Sequence, residues 1–188
     1  AQPESNVSPN KAMVDYLLGY SLFSMKRYGE AETIFKRYIT HADPTHNTYA
    51  DALNRLGDCC FNRRSFKEAE EIYHQVEELN RTGADYAIFQ RGYALGLLRN
   101  YQKKAEVMEQ LVSKYPKSDY ADDALYETAR ARLEENNSSA ATLAYIKLIQ
   151  DYPNSNHARK ASLELGMNYR NTQDYENAIK TFKQTIQN

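Results

Sequence analysis

The chain lacks the features that usually mark a membrane protein or a nucleic-acid-binding protein. It has no tryptophan, only two cysteines, five prolines and seven glycines in 188 residues. Its 24 basic and 25 acidic residues give a formal net charge of −1. The net electrostatic field of the protein therefore does not favour binding to nucleic acid or to an anionic membrane. No apolar run approaches the roughly 20 residues that span a bilayer. The low Gly and Pro content and the 26% of charged residues instead indicate a well-solvated helical protein.

Catalytic and metal-binding patterns are also missing from the sequence. There is no Gly-rich phosphate loop, no GxSxG and no HExxH. Cys59 and Cys60 are adjacent rather than spaced as CxxC, so we interpret them as buried structural thiols. His41 and His46 have no third ligand at a metal-binding spacing, and we interpret them as solvated loop residues. We therefore expect a protein that is not an enzyme and has no cofactor or metal site.

One unit is repeated five times along the chain. A small residue recurs every 35 to 38 positions, with a second, mostly small residue 12 positions later and a large apolar residue 16 positions later. Such a period is typical of stacked helical hairpins, which bury their cores only against their neighbours. The three sets are Gly19, Gly57, Gly92, Ala129 and Gly166, then Ala31, Ala69, Lys104, Ala141 and Ala178, then Phe35, Tyr73, Met108, Tyr145 and Phe182.

The pattern predicts an all-α protein in a single domain, residues 1–188. Prolines 44, 116 and 153 each follow a predicted helix end, and Ser65, Ser118, Ser155 and Thr172 are predicted helix caps. We expect residues 1–8 to be a disordered lead-in and the chain to be a piece of a longer protein, since it lacks an initiator Met. The predicted repeats are 11–44, 45–83, 84–118, 119–155 and 156–188. The predicted helices are 9–26, 28–40, 45–63, 66–79, 84–99, 102–114, 119–134, 138–150, 156–171 and 174–187.

The repeated unit resembles the tetratricopeptide repeat. Its Leu-Gly pair occurs at residues 18–19, 56–57 and 165–166, and its proline position is matched by Pro116 and Pro153. The sequence departs from the pattern where Arg91 and Thr128 replace Leu and where Lys104 replaces a small residue. The resemblance implies a right-handed superhelical solenoid of about five helix-turn-helix repeats that binds other proteins.

Two junctions suggest a subfamily. Residues 115–121 and 152–158 both have the form Tyr-Pro-x-Ser-x-x-Ala, which is similar to junctions in bacterial envelope tetratricopeptide proteins. Those proteins include outer-membrane assembly lipoproteins and periplasmic proteins associated with the Tol-Pal system. The resemblance implies a location on the periplasmic side of a bacterial envelope. It does not exclude a cytoplasmic location.

The resemblance also implies a partner-binding groove, because the first helix of each repeat lines the concave face in this family. Aromatic anchors bind partner segments well, since they offer large contact area with little rotamer freedom to lose. We therefore predict a scaffold that binds a protein or peptide segment and no nucleic acid. The candidate groove residues are Tyr16, Tyr20, Phe23, Phe61, Phe89, Tyr93, Tyr126 and Arg130, beside polar positions that include Asn54 and Asp58.

Two alternatives remain open at this stage. The last helix carries Ile179, Phe182 and Ile186 with no polar capping helix after it, so the ends of the array could act in assembly or homo-oligomerisation. Exposed tyrosines would also suit an envelope protein that binds a saccharide, which would bind weakly in the absence of a buried polar network.

Overall fold

The computed structural model describes residues 9–187, with side chains from 11 to 186. These residues form ten helices and no strand, and the predicted helix ends lie within two residues of the observed ones. The all-α repeat array predicted from the sequence is confirmed, while the predicted lead-in 1–8 lies outside the described residues. The helices are α1 (Pro9–Ser24), α2 (Tyr28–His41), α3 (Asn47–Asn62), α4 (Phe66–Leu79), α5 (Ala84–Leu97), α6 (Tyr101–Lys114), α7 (Ala121–Glu134), α8 (Ser138–Asp151), α9 (Asn156–Asn171) and α10 (Tyr175–Gln187).

The chain divides into two compact units between Leu98 and Arg99. The first unit contains α1–α5, each packed on the next, and α1 also contacts α3. The second contains α6–α10 in the same serial order, and α7 also contacts α9. Within each unit, the first helices of successive repeats therefore lie side by side. The division falls inside the third predicted repeat, and the single domain predicted from the sequence stays a prediction.

The recurring glycine is required by the aromatic ring 16 positions later. A Cβ added at Gly57 would lie 2.5 Å from the Tyr73 ring, and one added at Gly19 would lie 2.8 Å from the Phe35 ring. Gly166 faces Phe182 in the same way. Carbon atoms do not approach this closely, so each ring fills the space that the missing side chain leaves. The predicted contact between the two helices of a repeat is confirmed at these three positions.

A left-handed residue turns the chain between the two helices of every repeat. It lies seven positions after the recurring small residue and is never glycine. After Lys26, Arg64, Asn136 and Gln173 the following amide donates to the carbonyl five residues earlier, as in Arg27 N to Leu22 O at 2.9 Å and Ser65 N to Cys60 O at 2.9 Å, which is the Schellman pattern. The left-handed residues are Lys26, Arg64, Arg99, Asn136 and Gln173, with φ between 57° and 65°.

The predicted helix caps are partly wrong. Ser155 caps α9 by accepting from the amides of His157 and Ala158, as expected. Ser65 precedes α4 with ψ at 61° rather than in the extended region, and its short side chain makes no capping hydrogen bond. At the equivalent position of the next two repeats, the longer Asn100 and Asn137 do reach a helix amide.

The other two caps also need correction. Ser118 accepts from the amide of Tyr120 in a turn and does not cap α7, which begins at residue 121. Thr172 ends α9, and it is Asp174 that accepts from the amide of Asn177 at the start of α10. At the position before the second helix of a repeat, Asn100, Asn137 and Asp174 therefore accept from the third amide after them, whereas the shorter Ser65 does not.

The residues that depart from the repeat pattern form buried ion pairs between repeats. We use the word junction for the contact of a repeat's second helix with the first helix of the next repeat. At the α4–α5 junction, buried Arg91 donates to Glu70 at 2.8 Å and to Glu77 at 2.7 Å. At the α6–α7 junction, buried Lys104 pairs with Glu127. These charges therefore have specific partners across the junction, as buried charges require.

The two remaining junctions carry other polar pairs. At α2–α3, Glu32 pairs with Arg63. At α8–α9, the Asn168 amide donates to the Ser138 carbonyl at 3.0 Å and to the Thr142 hydroxyl at 2.8 Å. Each of these four junctions thus has a different set of polar side chains in contact.

Candidate partner-binding face

The predicted groove residues of the first unit lie on its three first helices. Helix α1 carries Tyr16, Tyr20 and Phe23, and α3 carries Phe61. Helix α5 carries Phe89 and Tyr93. All are partly buried except Phe89, which is 7% exposed. We define the first-helix face as these residues together with Asp51, Arg55, Asp58 and Tyr86, which join them as described below.

Asp51 of α3 holds both tyrosines of α1. The Tyr16 hydroxyl donates to Asp51 Oδ2 at 2.8 Å, and the Tyr20 hydroxyl donates to the same oxygen at 2.6 Å. The two rings lie edge to face with centroids 5.1 Å apart. Burial, followed by the hydrogen bond to Asp51, raises the pKa of Tyr20 to about 12 and raises the pKa of Tyr16 further. Both phenols therefore stay protonated donors, and their rings are fixed in place.

Asp58 organises a second, more deeply buried group two turns further along α3. It accepts from the hydroxyls of Tyr73 and Tyr86, each at 2.7 Å, and pairs with Arg55 at 2.5 Å. Burial raises the pKa of Asp58, although the charge of Arg55 and the two tyrosine hydroxyls oppose the shift. The carboxylate thus anchors α4 and α5 to α3.

Arg55 connects the two groups. Its guanidinium lies 5.7 Å from the centroid of the Phe23 ring and 5.3 Å from that of Tyr86. Its Nε lies 3.9 Å from Asp51. A guanidinium within about 6 Å of an aromatic centroid is attracted by the ring quadrupole. The tyrosines, the two aspartates and the arginine therefore form one network that runs across α1, α3 and α5.

The other predicted aromatics of this unit belong to two further edge-to-face contacts. Phe61 contacts Phe66 edge to face at 5.3 Å, and Phe89 contacts Tyr93 edge to face at 5.0 Å. Because Phe89 is buried, its ring packs between helices and offers little surface to a partner. Phe61 and Tyr93 keep part of their surface open.

In the second unit the two predicted residues are in contact. The Arg130 guanidinium lies 6.0 Å from the Tyr126 centroid and 3.2 Å from Glu127. The Tyr126 ring also lies 5.1 Å from the ring of His157, which pairs with Asp123. Burial raises the pKa of Asp123, an effect that the neighbouring His157 opposes. This is a second, smaller cluster of aromatic and charged groups on first helices.

One cluster in the first unit has the residue types of a metal site. Glu32, Cys60 and Glu68 place ligand atoms within 4.8 Å of one another. However, Lys36 donates to both carboxylates, and Arg63 pairs with Glu32. Burial also raises the pKa of the Cys60 thiol to about 12, which disfavours a thiolate. Two cations of the protein therefore already neutralise this site, and it acts as an ion-pair cluster.

The sequence interpretation missed Asp51 and Arg55. Together with Asp58 they follow an i, i+4, i+7 spacing, which places all three on one face of α3. That spacing was visible beside Asp58, which was already a predicted groove position. The groove positions that the resemblance implies on α3 are Asn54, Asp58 and Phe61, and Asp51 and Arg55 lie beside these positions rather than on them.

Comparisons with known proteins agree on the repeat. The tetratricopeptide repeat family model matches residues 86–118, 123–155 and 160–188, just over half of the chain. No curated protein matches the chain in sequence. No helix within residues 9–187 is both long enough and apolar enough to cross a membrane.

Several solved structures share the fold. MamA from Desulfovibrio magneticus RS-1 is 18% identical with a TM-score of 0.71, covering 94% of this chain and 93% of its own. A tetratricopeptide repeat protein from Parabacteroides merdae is 16% identical with a TM-score of 0.74, covering 94% and 66%. A Podosopora anserina protein described as a kinesin light chain with TPR-like repeats is 14% identical with a TM-score of 0.69, covering 94% and 93%.

Proposed function

Because the chain belongs to the tetratricopeptide repeat family, whose members are generally interaction modules without catalytic activity, we propose that it is a scaffold that binds a segment of a partner protein. The binding surface is the first-helix face of the first unit, and the Tyr126–Arg130 cluster of the second unit is a separate candidate contact. The observation that carries this proposal is the network in which Asp51, Arg55 and Asp58 hold partly exposed aromatic rings in fixed positions.

Fixed rings favour binding because little side-chain freedom remains to be lost. Immobilising a flexible side chain at an interface costs on the order of 0.5–1.5 kcal/mol. Tyr16 and Tyr20 have already lost that freedom through Asp51, so their exposed edges can pack on a partner at lower cost. Asp51 is itself partly exposed and can accept a hydrogen bond from a partner's backbone or lysine. These features suit an extended or helical segment that carries apolar anchors.

The proposal is tested by affinity capture of partners with matched variants. The Tyr20→Ala, Tyr93→Ala double variant removes two rings of the first-helix face. Leu143→Ala is the control, since Leu143 is 68% exposed on α8, a second helix. Captured proteins are identified by mass spectrometry, and each variant is checked for native helicity by circular dichroism.

We expect one partner to be retained by the wild type and by the control but lost with the double variant. A peptide from that partner should then bind with at least tenfold lower affinity to the double variant in calorimetry. Equal capture by all three folded proteins would contradict a groove function. It would indicate that the aromatic rings contribute only to packing within the protein.

We also propose the periplasmic side of a bacterial envelope as the location. The support is the resemblance of the two Tyr-Pro-x-Ser-x-x-Ala junctions to those of envelope proteins. Cell fractionation with an antibody should find the protein with the envelope fractions, and recovery in the cytosol alone would contradict this location.

A further inference from the structure

One buried hydroxyl in the second unit has no hydrogen-bond partner. Tyr145 of α8 is 0% exposed, and its hydroxyl makes no hydrogen bond among the described residues. A buried polar group that stays unpaired costs free energy, so most such groups in proteins have a partner. Burial, followed by the charge of Glu164, raises the pKa of Tyr145. The phenol therefore stays protonated and keeps a hydrogen to donate.

The equivalent hydroxyl of the first unit shows what such a group binds. Tyr73 and Tyr145 both lie 16 positions after the recurring small residue, and the other three residues at this position carry no hydroxyl. The Tyr73 hydroxyl donates to Asp58 at 2.7 Å, and Asp58 pairs with Arg55 at 2.5 Å. In the first unit this hydroxyl is thus satisfied by a carboxylate that a guanidinium neutralises.

In the second unit the carboxylate is replaced by a cation. Arg130 occupies the position of Asp58, one residue after the recurring small residue, and Glu127 occupies that of Arg55. The anion and the cation have therefore exchanged places along the first helix of the repeat. The Tyr145 hydroxyl and the Arg130 guanidinium both offer hydrogens, and no carboxylate occupies the position from which Asp58 would join them.

Arg130 is the movable part of this cluster. Its side chain is 59% exposed, and its Nη1 lies 3.2 Å from Glu127. Glu127 also pairs with the buried Lys104, so it keeps a cation if Arg130 turns away. The charge of Arg130 opposes the rise that burial causes in the pKa of Tyr145, so the guanidinium lies near the hydroxyl. A carboxylate that draws Arg130 away from Glu127 can then bind both groups.

The surroundings favour a singly charged carboxylate over a phosphate. The charges of Glu164 and Glu127 add to the effect of burial in raising the pKa of Tyr145, so both lie near it. They repel a dianion more strongly than a monoanion, because the Coulomb energy scales with the charge. Lys160 of α9, at the position that Tyr86 has on α5, adds one further exposed cation.

We infer that Tyr145 and Arg130 bind the side-chain carboxylate of an acidic residue in the partner segment. The inference rests on the proposed scaffold function and names the chemistry of one contact in the second unit. The carboxylate accepts from the Tyr145 hydroxyl and pairs with Arg130, as Asp58 does with its own partners. The Tyr126 ring lies 6.2 Å from the Tyr145 ring and 6.0 Å from the guanidinium, and offers apolar surface beside the site. The segment should therefore carry an acidic residue next to an apolar one.

Two matched hydroxyl deletions test whether the hydroxyl is open to a ligand. Tyr145→Phe removes the hydroxyl without a partner, and Tyr73→Phe removes the one that donates to Asp58. In urea unfolding, Tyr73→Phe should lower the stability, whereas Tyr145→Phe should leave it unchanged or raise it. Equal losses would show that Tyr145 already has an internal partner, such as Glu164, and would overturn the inference.

Peptide pools test the ligand on the immobilised full chain. The probes are acetylated, amidated nine-residue peptides with glutamate, glutamine or phosphoserine at the centre and the same random mixture of uncharged residues elsewhere. Bound peptides are counted by mass spectrometry, and the wild type should enrich the glutamate pool at least fivefold over the glutamine pool. Arg130→Gln should reduce this preference below twofold, and Tyr145→Phe should at least halve it. Arg159→Gln, which removes the same charge from an exposed position of α9, should keep it.

The outcomes separate this inference from the scaffold function. A wild type without preference for glutamate, a preference that Tyr145→Phe leaves intact, or stronger enrichment of the phosphoserine pool would overturn the carboxylate site. Peptides that bind every variant alike, whatever their central residue, would remove this contact and leave the scaffold function standing. Glu164→Gln should increase the enrichment of the glutamate pool, since it removes a repelling charge, and a decrease would identify Glu164 as part of the site and contradict the inference.

Discussion

The Gly57→Ala substitution measures how tightly the two helices of a repeat are packed. Its Cβ would lie 2.5–2.9 Å from three atoms of the Tyr73 ring, which is fully buried and fixed through its hydroxyl to Asp58. Overpacking of this kind costs about 1–3 kcal/mol. Replacing glycine by alanine within a helix stabilises the folded protein by about 0.5–1 kcal/mol. The net expectation is a destabilisation of about 1–2 kcal/mol, because the ring cannot move without breaking its hydrogen bond.

Two other glycines provide the controls. Gly29 is exposed on α2, where the nearest atom to an added Cβ is 3.9 Å away, so Gly29→Ala should stabilise by about 0.5–1 kcal/mol. Gly166→Ala meets the ring of Phe182, which is partly exposed and has no hydroxyl anchor, so its cost should be smaller than that of Gly57→Ala. Urea unfolding followed by circular dichroism gives the three free-energy changes on one scale.

A double-variant cycle separates the ring contact from other effects. In a Tyr73→Leu background the ring is absent, and Gly57→Ala should then be neutral or stabilising, so the coupling between the two positions should exceed 1 kcal/mol, as expected for contacting residues. The reasoning would be refuted if Gly57→Ala stabilised the protein as much as Gly29→Ala does, or if the coupling were zero.

Three further predictions follow from single residues. Arg91→Met should destabilise by about 3 kcal/mol in urea unfolding, because it leaves two largely buried carboxylates on α4 without their guanidinium. Hydrogen bonds from Arg37 hold the pKa of Asp15 below its usual value, so this pair stabilises at neutral pH and its contribution is lost as the pH falls below 3.8. Asp15→Asn should therefore flatten the dependence of the unfolding free energy on pH in that acid range. Arg64→Gly should raise stability by about 0.5–1 kcal/mol in urea unfolding, since glycine adopts the left-handed conformation at φ 65° without strain.

The helices and the contacts within each repeat could be predicted from the sequence because their signals are local and repeated. Gly57 and Tyr73 lie 16 positions apart in one hairpin, and the same pair recurs elsewhere in the chain, so periodicity alone identifies the contact. The left-handed turn residues could not be predicted from the sequence because none of them is glycine, the residue that usually marks this conformation.

The polar pairs could not be predicted in the same way. Arg91 looked like a departure from the repeat pattern, and only the packing of α4 on α5 shows that it pairs with Glu70 and Glu77. Asp51 of the second repeat accepts hydrogen bonds from Tyr16 and Tyr20 of the first repeat. These contacts do not recur in the other repeats, so the periodicity of the sequence does not indicate them. Which of the candidate aromatics bind a partner stays a prediction for the same reason.

The dissimilar polar pairs at the four junctions limit how the gene for this array can change. Tandem arrays readily lose a unit through recombination between similar segments, and the shortened protein must then join helices that were not neighbours. Loss of the third repeat here would place α7 after α4, with Thr128 opposite Glu70 and Glu77 in place of Arg91. Two carboxylates would be left buried without a guanidinium, at a cost of several kcal/mol. Loss of this one repeat is therefore expected to destabilise the shortened protein.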